Sequence, residues 1–256
     1  MSFVDIHSHI LPGVDDGAGS IDETIAMLKV AYESGTKKIV ATPHMFHDLF
    51  DNNDFVETRK KFDELIEQLE ANQATFPFLS EIQVCPGAEN YASPAFLKAL
   101  DEGCVLTLNG SRYLLVETAF LLPFSQIEIL IQRVHLAGFT PVLAHPERYG
   151  SIQEDPERLV KLWDVGCVCQ INADSLLGAS GSRARKCGET LLEEGLVDII
   201  ASDGHKLKWR TPELKSICEK LRREYSEEDV QALLVENPEC IVANEALEIE
   251  VLTEAD

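Results

Sequence analysis

The chain has 256 residues, 45% of them hydrophobic and 26% charged, the composition of a globular protein long enough to bury a full core. Acidic side chains number 44 against 22 basic ones, giving a formal net charge of -22 and a pI of about 4.6. A surface of that sign works against nucleic-acid binding, which needs positive charge to displace counterions, and against docking on an anionic membrane.

The stretch Met1-Ser2-Phe3-Val4-Asp5 has neither a basic region nor a hydrophobic run, so no signal peptide is expected. The longest uncharged run, Val134 to Pro146, contains two His and two Pro, whereas a membrane span needs ~20 apolar residues. None of the seven Cys forms a C-x-x-C pair, and Cys85, Cys104, Cys167 and Cys169 lie in apolar contexts. Reduced, mostly buried thiols in a cytoplasmic protein are expected, not disulfides or a sulfur-ligated metal.

In chain order, the first strand is expected at Phe3-Val4-Asp5-Ile6. Ser20-Ile21-Asp22-Glu23 reads as a capping box, and Ile21, Ile25, Leu28 and Tyr32 behind it share one helical face. Gly35 ends that helix, and Lys38 to Thr42 is the second strand. The polar, acidic stretch Phe46 to Asp54 reads as a mobile loop. Strands follow at Glu81 to Pro86 and at Tyr113 to Val116. Ser125-Gln126-Ile127-Glu128 reads as a second capping box, with its helix ending at Gly138 and a strand over Pro141 to Ala144. Asp155-Pro156 reads as an N-cap with proline at N1, followed by a helix to Gly166 and a strand over Val168 to Asn172. A helix over Arg185 to Glu194 precedes the last strand, Val197 to Ser202, and two further helices are expected at Pro212 to Glu224 and Glu227 to Val235.

Apolar strands separated by helices imply a parallel sheet covered on both faces. Seven such units predict an α/β fold, a distorted TIM-like (β/α)7 barrel, with an open doubly wound sheet as the alternative. No linker or low-complexity segment interrupts the pattern, so residues 1–256 are read as one domain.

The chemistry lies in what ends each strand. The seven ends are His7-Ser8-His9, Thr42-Pro43-His44, Gly87-Ala88-Glu89, Glu117, His145-Pro146-Glu147-Arg148, Asn172, and Ser202-Asp203-Gly204-His205. In a parallel barrel these ends converge on one rim, where such folds place their active sites. Histidine with carboxylate, without thiolate, suits Zn, Mn or Fe. His7 and His9 stand two apart in a strand and leave the same face, and Asp203 with His205 repeats the spacing. Singly, each signal is weak. An H-x-H can sit in a core, Glu117 can be a salt-bridge partner, and Asp15-Asp16-Gly17 can be a turn. Jointly, a His or an acid at six of seven strand ends is not chance. His135, on a helix, is read as structural, and His47, in the acidic loop, as solvent-exposed. Barrel amidohydrolases also open with H-x-H, but they carry a lysine at a strand end, and none stands there in this chain.

At these residues the sequence resembles the polymerase and histidinol phosphatase (PHP) superfamily. Within it, the chain is most similar to the capsule-associated, manganese-dependent protein tyrosine phosphatases of bacteria, the CpsB/YwqE type. The carrying segments are Asp5 to Gly17, Ala41 to His44, Gly87 to Glu89, Leu115 to Glu117, Ala144 to Tyr149 and Ser202 to His205. The resemblance implies three divalent metal ions, Mn foremost, with Fe or Zn as alternatives. One would be held by His7, His9, Glu89 and Asp203, a second by Glu89, Glu117 and His145, and a third by Asp16, His44 and His205. It further implies that Arg148 and Arg210 hold the substrate phosphate, that Asp203 or His205 can serve as a general acid, and that the partner is the phosphotyrosine tail of a bacterial tyrosine kinase controlling polysaccharide export. Many members carry Arg after the His of strand two, where this chain has Met45.

The implied reaction fits the residues. Divalent ions neutralise a phosphate dianion and activate water, and a planar guanidinium clamps two phosphate oxygens. No Cys begins a C-x5-R loop, so no phosphocysteine is implied. The alternatives are a small-molecule phosphatase such as histidinol phosphatase, which the same ligands would serve, and a non-catalytic binding module, which would have lost ligands. A proofreading nuclease is disfavoured by the acidic charge. Heptads are absent, and no oligomeric state is read.

Overall fold

The computed structural model describes residues 1–52 and 54–247. In chain order its strands are β1 (Phe3–Ser8), β2 (Thr36–Ala41), β3 (His44–Met45), β4 (Gln83–Pro86), β5 (Glu89–Tyr91), β6 (Tyr113–Glu117), β7 (Thr140–Ala144), β8 (Val168–Asn172) and β9 (Ile199–Ala201). They form two sheets, in the orders β1-β2-β4 and β3-β5-β6-β7-β8-β9, and every pairing is parallel. The long helices are α1 (Ile21–Ser34), α2 (Phe55–Asn72), α3 (Pro94–Glu102), α4 (Phe124–Leu136) and α5 (Ser182–Glu193). No helix among the described residues is long and apolar enough to cross a membrane.

Two expected strands are broken. The second resumes as β3 after Thr42-Pro43, and the third resumes as β5 after Gly87-Ala88, so His44 and Glu89 stand on short strands of the larger sheet. Proline explains the first break, since it offers no ladder donor. Gly87 explains the second, because a Cβ there would lie 2.7 Å from Val40 Cγ1. Strand pairing therefore does not close a barrel.

Side chains close what the ladders leave open. Between β1 and β9 the only bridge is Ser8 to Gly204, but buried Asp5 accepts from both the backbone N–H and the hydroxyl of Ser202, at 3.1 and 2.5 Å. At the other seam, the Asn90 amide donates to the carbonyls of Ala88, Leu106 and Leu115 at 3.0 to 3.2 Å. Inside the ring, Val4, Ile6, Val40, Leu115, Val142, Ala144, Ile199 and Ala201 pack as one apolar cluster. Ile241 and Val242, from the helix Asn237–Val242, join that cluster and cover the N-terminal ends of the strands. Only the C-terminal ends remain accessible.

Local signals held unevenly. Ser20 caps α1 and Glu23 turns back to Gly19 N, while Gly35 ends the helix at φ 111°. The second capping box is corrected: α4 starts two residues earlier, after Pro123, and Ser125 makes no cap. Pro123 already supplies the N-terminal boundary, so a side-chain cap is redundant there. Asp155 precedes a 3-10 turn, Pro156–Leu159, but its carboxylate binds Arg158 at 2.9 Å instead of the backbone. The helix expected at Pro212 to Glu224 is shorter, at Lys215–Leu221, whereas the last one runs past its expected end at Val235: Glu227–Gln231 continues through a π-helical turn, Ala232–Glu236, into Asn237–Val242. The acidic loop is pinned: Phe46 N donates to Asn52 O, and the Asn52 amide donates to His44 O at 2.8 Å. All seven thiols are free, as expected, although Cys104 is exposed.

Candidate active site

Every expected ligand reaches one place, at the C-terminal ends of the strands. His7 and His9 leave the end of β1 on the same face, with their Nε2 atoms 3.3 Å apart. Glu89 Oε2 lies 3.4 Å from each of those nitrogens, and Asp203 Oδ1 lies 3.4 and 3.3 Å from them. His44 Nδ1 approaches Glu89 at 2.9 Å and Glu117 at 3.6 Å, while His145 Nε2 approaches the same two carboxylates at 2.8 and 3.7 Å. Asp16 Oδ1 faces His205 at 3.4 Å and His44 at 3.7 Å. Three overlapping sets of donor atoms lie within 4.8 Å of one another: His9, Asp16, His44 and His205; His7, His9 and Glu89; and His44, Glu89 and Glu117.

These side chains are buried, apart from half-exposed Asp16. Glu89 Oε2, Glu117 Oε2, Asp203 Oδ1, His44 Nδ1 and His205 Nε2 are nonetheless left without a hydrogen-bond partner. Buried polar groups in that state are costly and rare. Carboxylate oxygens and imidazole nitrogens gathered this closely without hydrogen-bond partners fit divalent cations bound by oxygen and imidazole nitrogen.

The electrostatics separate the ligands. Burial works against the charge on Asp203, yet His7 and Arg210 hold its carboxyl well below the usual range. Burial likewise opposes Glu89, and His7, His44 and His145 hold it well down. Burial, with the negative Glu89 and Asp203, pushes Glu117 well up. The same desolvation, stronger than the attraction of Glu89, brings the His145 imidazole down to about 4. His145 is thus neutral and ready to ligate.

The backbone is strained where the chemistry sits. His145, Asp203 and Arg210 have φ of 36°, 51° and 52°, in the left-handed region that non-glycine residues seldom occupy. Gly17 permits the close turn over the H-x-H segment, since a Cβ there would lie 2.0 Å from the His9 carbonyl oxygen.

Four residues outside the expected ligand set support it: Asp15 and Gln170, which the strand-end pattern does not reach, and Glu147 and Asn172, which stand in it without an assigned role. Asp15 is more than a turn residue: it accepts from His9 Nδ1 at 2.8 Å and from the backbone of His44 and Gly17 at 2.9 Å. Gln170 Oε1 contacts His7 Nδ1 at 2.8 Å, its amide donates to Asn172 Oδ1 at 3.0 Å, and Asn172 donates to Asp203 Oδ2 at 2.6 Å. Buried Glu147, whose carboxyl desolvation pushes up to about 7, accepts from Asn172 N. Period-2 spacing on β8 places Gln170 and Asn172 on one face, a signal that the strand end alone does not use.

Arg148 Nη1 lies 3.6 Å from Asp203 Oδ2, and Arg210 pairs with that same oxygen. Phe120 covers the Arg148 guanidinium at 4.5 Å and meets the His145 ring edge-on at 5.8 Å. His47 is corrected from an exposed residue to a half-buried one, packed on Tyr91 at 4.3 Å and Phe50 at 5.4 Å beside His44. Met45 is fully buried in the hydrophobic core with Phe46 and Phe96, so it faces away from the mouth. His135 lies on the outer helix α4, away from the ligands.

The pattern of the family "Capsular polysaccharide synthesis, CpsB/CapC" matches residues 3–243. The chain belongs to the CpsB/CapC family. It is 30% identical over 249 residues to the tyrosine-protein phosphatase CpsB of Streptococcus pneumoniae, spanning 95% of this chain and all of that one. It is 32% identical over 244 residues to the tyrosine-protein phosphatase YwqE of Bacillus subtilis, with 95% and 93% covered. A crystal structure from a study of YwqE and CpsB, described as metal-dependent tyrosine phosphatases, superposes with a TM-score of 0.86 at 31% identity, covering 99% of both chains. A phosphotriesterase homology protein from Escherichia coli shares the fold at a TM-score of 0.65 and 12% identity, over 94% of this chain and 98% of that one. The fold of this CpsB/CapC chain is thus that of phosphotriesterase-like TIM-barrel proteins, in parallel sheets that do not close.

Proposed function

We propose that the chain is a metal-dependent protein tyrosine phosphatase of capsule or exopolysaccharide synthesis, acting in the cytoplasm on the phosphotyrosine tail of a bacterial tyrosine kinase. The observation that carries this reading is the set of buried, unpaired donor atoms on Glu89, Glu117, Asp203, His44 and His205, in a chain that matches tyrosine phosphatases over their whole length. Free thiols fit a reducing compartment. Joining β2 to β3 and β4 to β5 as single broken strands gives seven units, which supports the distorted (β/α)7 description.

In this reading the chain binds three divalent ions, manganese foremost, grouped as the resemblance implies and not identically to the three donor sets above: His7, His9, Glu89 and Asp203 would hold one, Glu89, Glu117 and His145 a second, and Asp16, His44 and His205 a third. When bound, they supply charge neutralisation and an activated water. Arg148 and Arg210 leave the Asp203 carboxylate and clamp the substrate phosphate with paired N–H donors. The leaving group is a phenolate of pKa ~10, far easier to expel than an alkoxide; it departs with little need of a general acid, and Asp203, whose carboxyl is held well below the usual range, has no proton to give it.

Phosphate release from a phosphotyrosine peptide, with manganese and with chelator, tests the reading. Chelator-sensitive turnover is expected. A metal-loaded protein that cleaves histidinol phosphate but no phosphotyrosine would move the assignment to a small-molecule phosphatase.

A further inference from the structure

The surface around the site mouth is unusually apolar for a chain of net charge -22. Twelve large apolar side chains are exposed among the described residues, and five of them lie in the loops that follow the C-terminal ends of strands. Leu49 (78% exposed) follows β3, Phe120 (37%) and Leu121 (89%) follow β6, and Leu207 (41%) and Trp209 (62%) follow β9. The others, such as Ile129 and Leu136 on α4, are scattered over the outer helices. Singly exposed apolar residues need no explanation, but a cluster around a mouth does.

These residues are tied to the ligands. The Leu49 N–H donates to His47 Nδ1 at 3.1 Å, and the His47 ring lies 5.4 Å from that of His44. Phe120 covers Arg148, and Trp209 lies 5.7 Å from the Arg210 guanidinium. Both arginines reach Asp203. A phosphate held between them therefore carries its organic group outward, onto the apolar rim.

We infer that this rim is a docking surface for the protein segment on either side of the phosphorylated tyrosine, and that it selects segments with apolar or aromatic side chains next to that residue. The inference rests on the phosphatase reading and deepens it. Charge narrows the occupant: a second copy of a chain at -22 is repelled, as is an anionic bilayer. A free small-molecule phosphate ester leaves most of the rim uncovered.

The test compares wild type with a Leu49→Ser, Leu121→Ser, Leu207→Ser triple variant, both loaded with manganese. The substrates are p-nitrophenyl phosphate, a phosphotyrosine peptide flanked by Leu and Phe, and one flanked by Asp and Glu. The wild type is expected to prefer the apolar peptide over the acidic one. The variant is expected to lose about tenfold in kcat/KM on the apolar peptide, through KM, the effect of removing one or two anchoring contacts. Its turnover of p-nitrophenyl phosphate is expected to stay within about twofold, since surface apolar changes leave folding and the buried ligands intact. Equal losses on all three substrates, or none on the apolar peptide, would overturn the rim assignment while leaving the phosphatase reading standing. A dimer in solution that the variant dissociates, with peptide kinetics unmoved, would give the surface to a second copy and overturn it too. A wild type that cleaves no aryl phosphate would overturn the phosphatase reading itself.

Discussion

The lower and upper halves of the strand ring are built to opposite rules. Below, Val4, Ile6, Leu115, Val142 and Ile199 fill the interior with apolar side chains in contact on all sides. One to four residues further along the chain, at or just past the ends of the same strands, His7, Glu117, His145 and Asp203 are also buried, yet several of their polar atoms have no partner. The first region stabilises the fold by removing apolar surface from water. The second is destabilising by itself, through burial of charge and left-handed backbone at His145, Asp203 and Arg210. A folded chain can hold the second region because the first, and the apolar plug beneath it, over-determine the strand positions.

The sharpest way to separate the two halves is to truncate one ligand. His7→Ala or Asp203→Ala is expected to lower phosphatase turnover by about a thousandfold or more while the circular dichroism spectrum stays native, because the ligand set, not the core, is broken. Wild-type turnover in either variant would refute the metal-site assignment. Leu115→Ala should do the reverse, costing about 2–5 kcal/mol of stability in denaturant titrations with metal content retained in the folded fraction.

Removing metal from the wild type should expose the cost of the upper half directly. Chelation is expected to lower Tm by several degrees and abolish turnover, with both restored by manganese, because a ligand bound only by the folded state stabilises it. An unchanged Tm would show that the orphaned atoms find other partners. A finer cut is the hydrogen-bonded line from His7 through Gln170 and Asn172 to Asp203. Gln170→Ala or Asn172→Ala is expected to weaken manganese binding about 10–100-fold in equilibrium titrations. Arg148→Ala should leave manganese binding unchanged and weaken phosphate inhibition, and loss of metal in that variant would count against its role.

An effect confined to stability and visible only over a pH range lies beneath, at Asp198, which accepts from Cys169 N at 2.7 Å. Burial raises its carboxyl from 3.8 to about 6. The folded protein then binds a proton more tightly than the unfolded chain. This contribution is fully present below pH 4 and is lost as pH rises through about 6, by up to roughly 3 kcal/mol. In Asp198→Asn, stability measured between pH 4 and 7 should lose that part of its decline.

Much of this was legible along the chain. Ser20 and Gly35 bound α1 by local chemistry, and alternation of apolar strands with helices implied parallel sheet, because both signals act within a few residues. The ligands were legible too, since each stands at a strand end and parallel strands bring their ends to one side. Other features depend on contacts between distant segments. The breaks after Ala41 and Pro86 depend on how Pro43 and Gly87 meet their neighbours, and the seams depend on Asp5 with Ser202 and on Asn90 with Leu115. Asp15 and Gln170 look like ordinary polar residues until His9 and His7 are placed against them.

The sequence by itself determined the class of fold and the candidate ligands at the strand ends, because period, caps and residue type are local properties. The tertiary structure alone decided that the ring stays open in its ladders, that His47 packs beside His44, that Met45 turns into the core, and that the exposed apolar residues gather at the mouth. Those outcomes are set by packing between segments tens to hundreds of residues apart, where no pattern along the chain carries the distance.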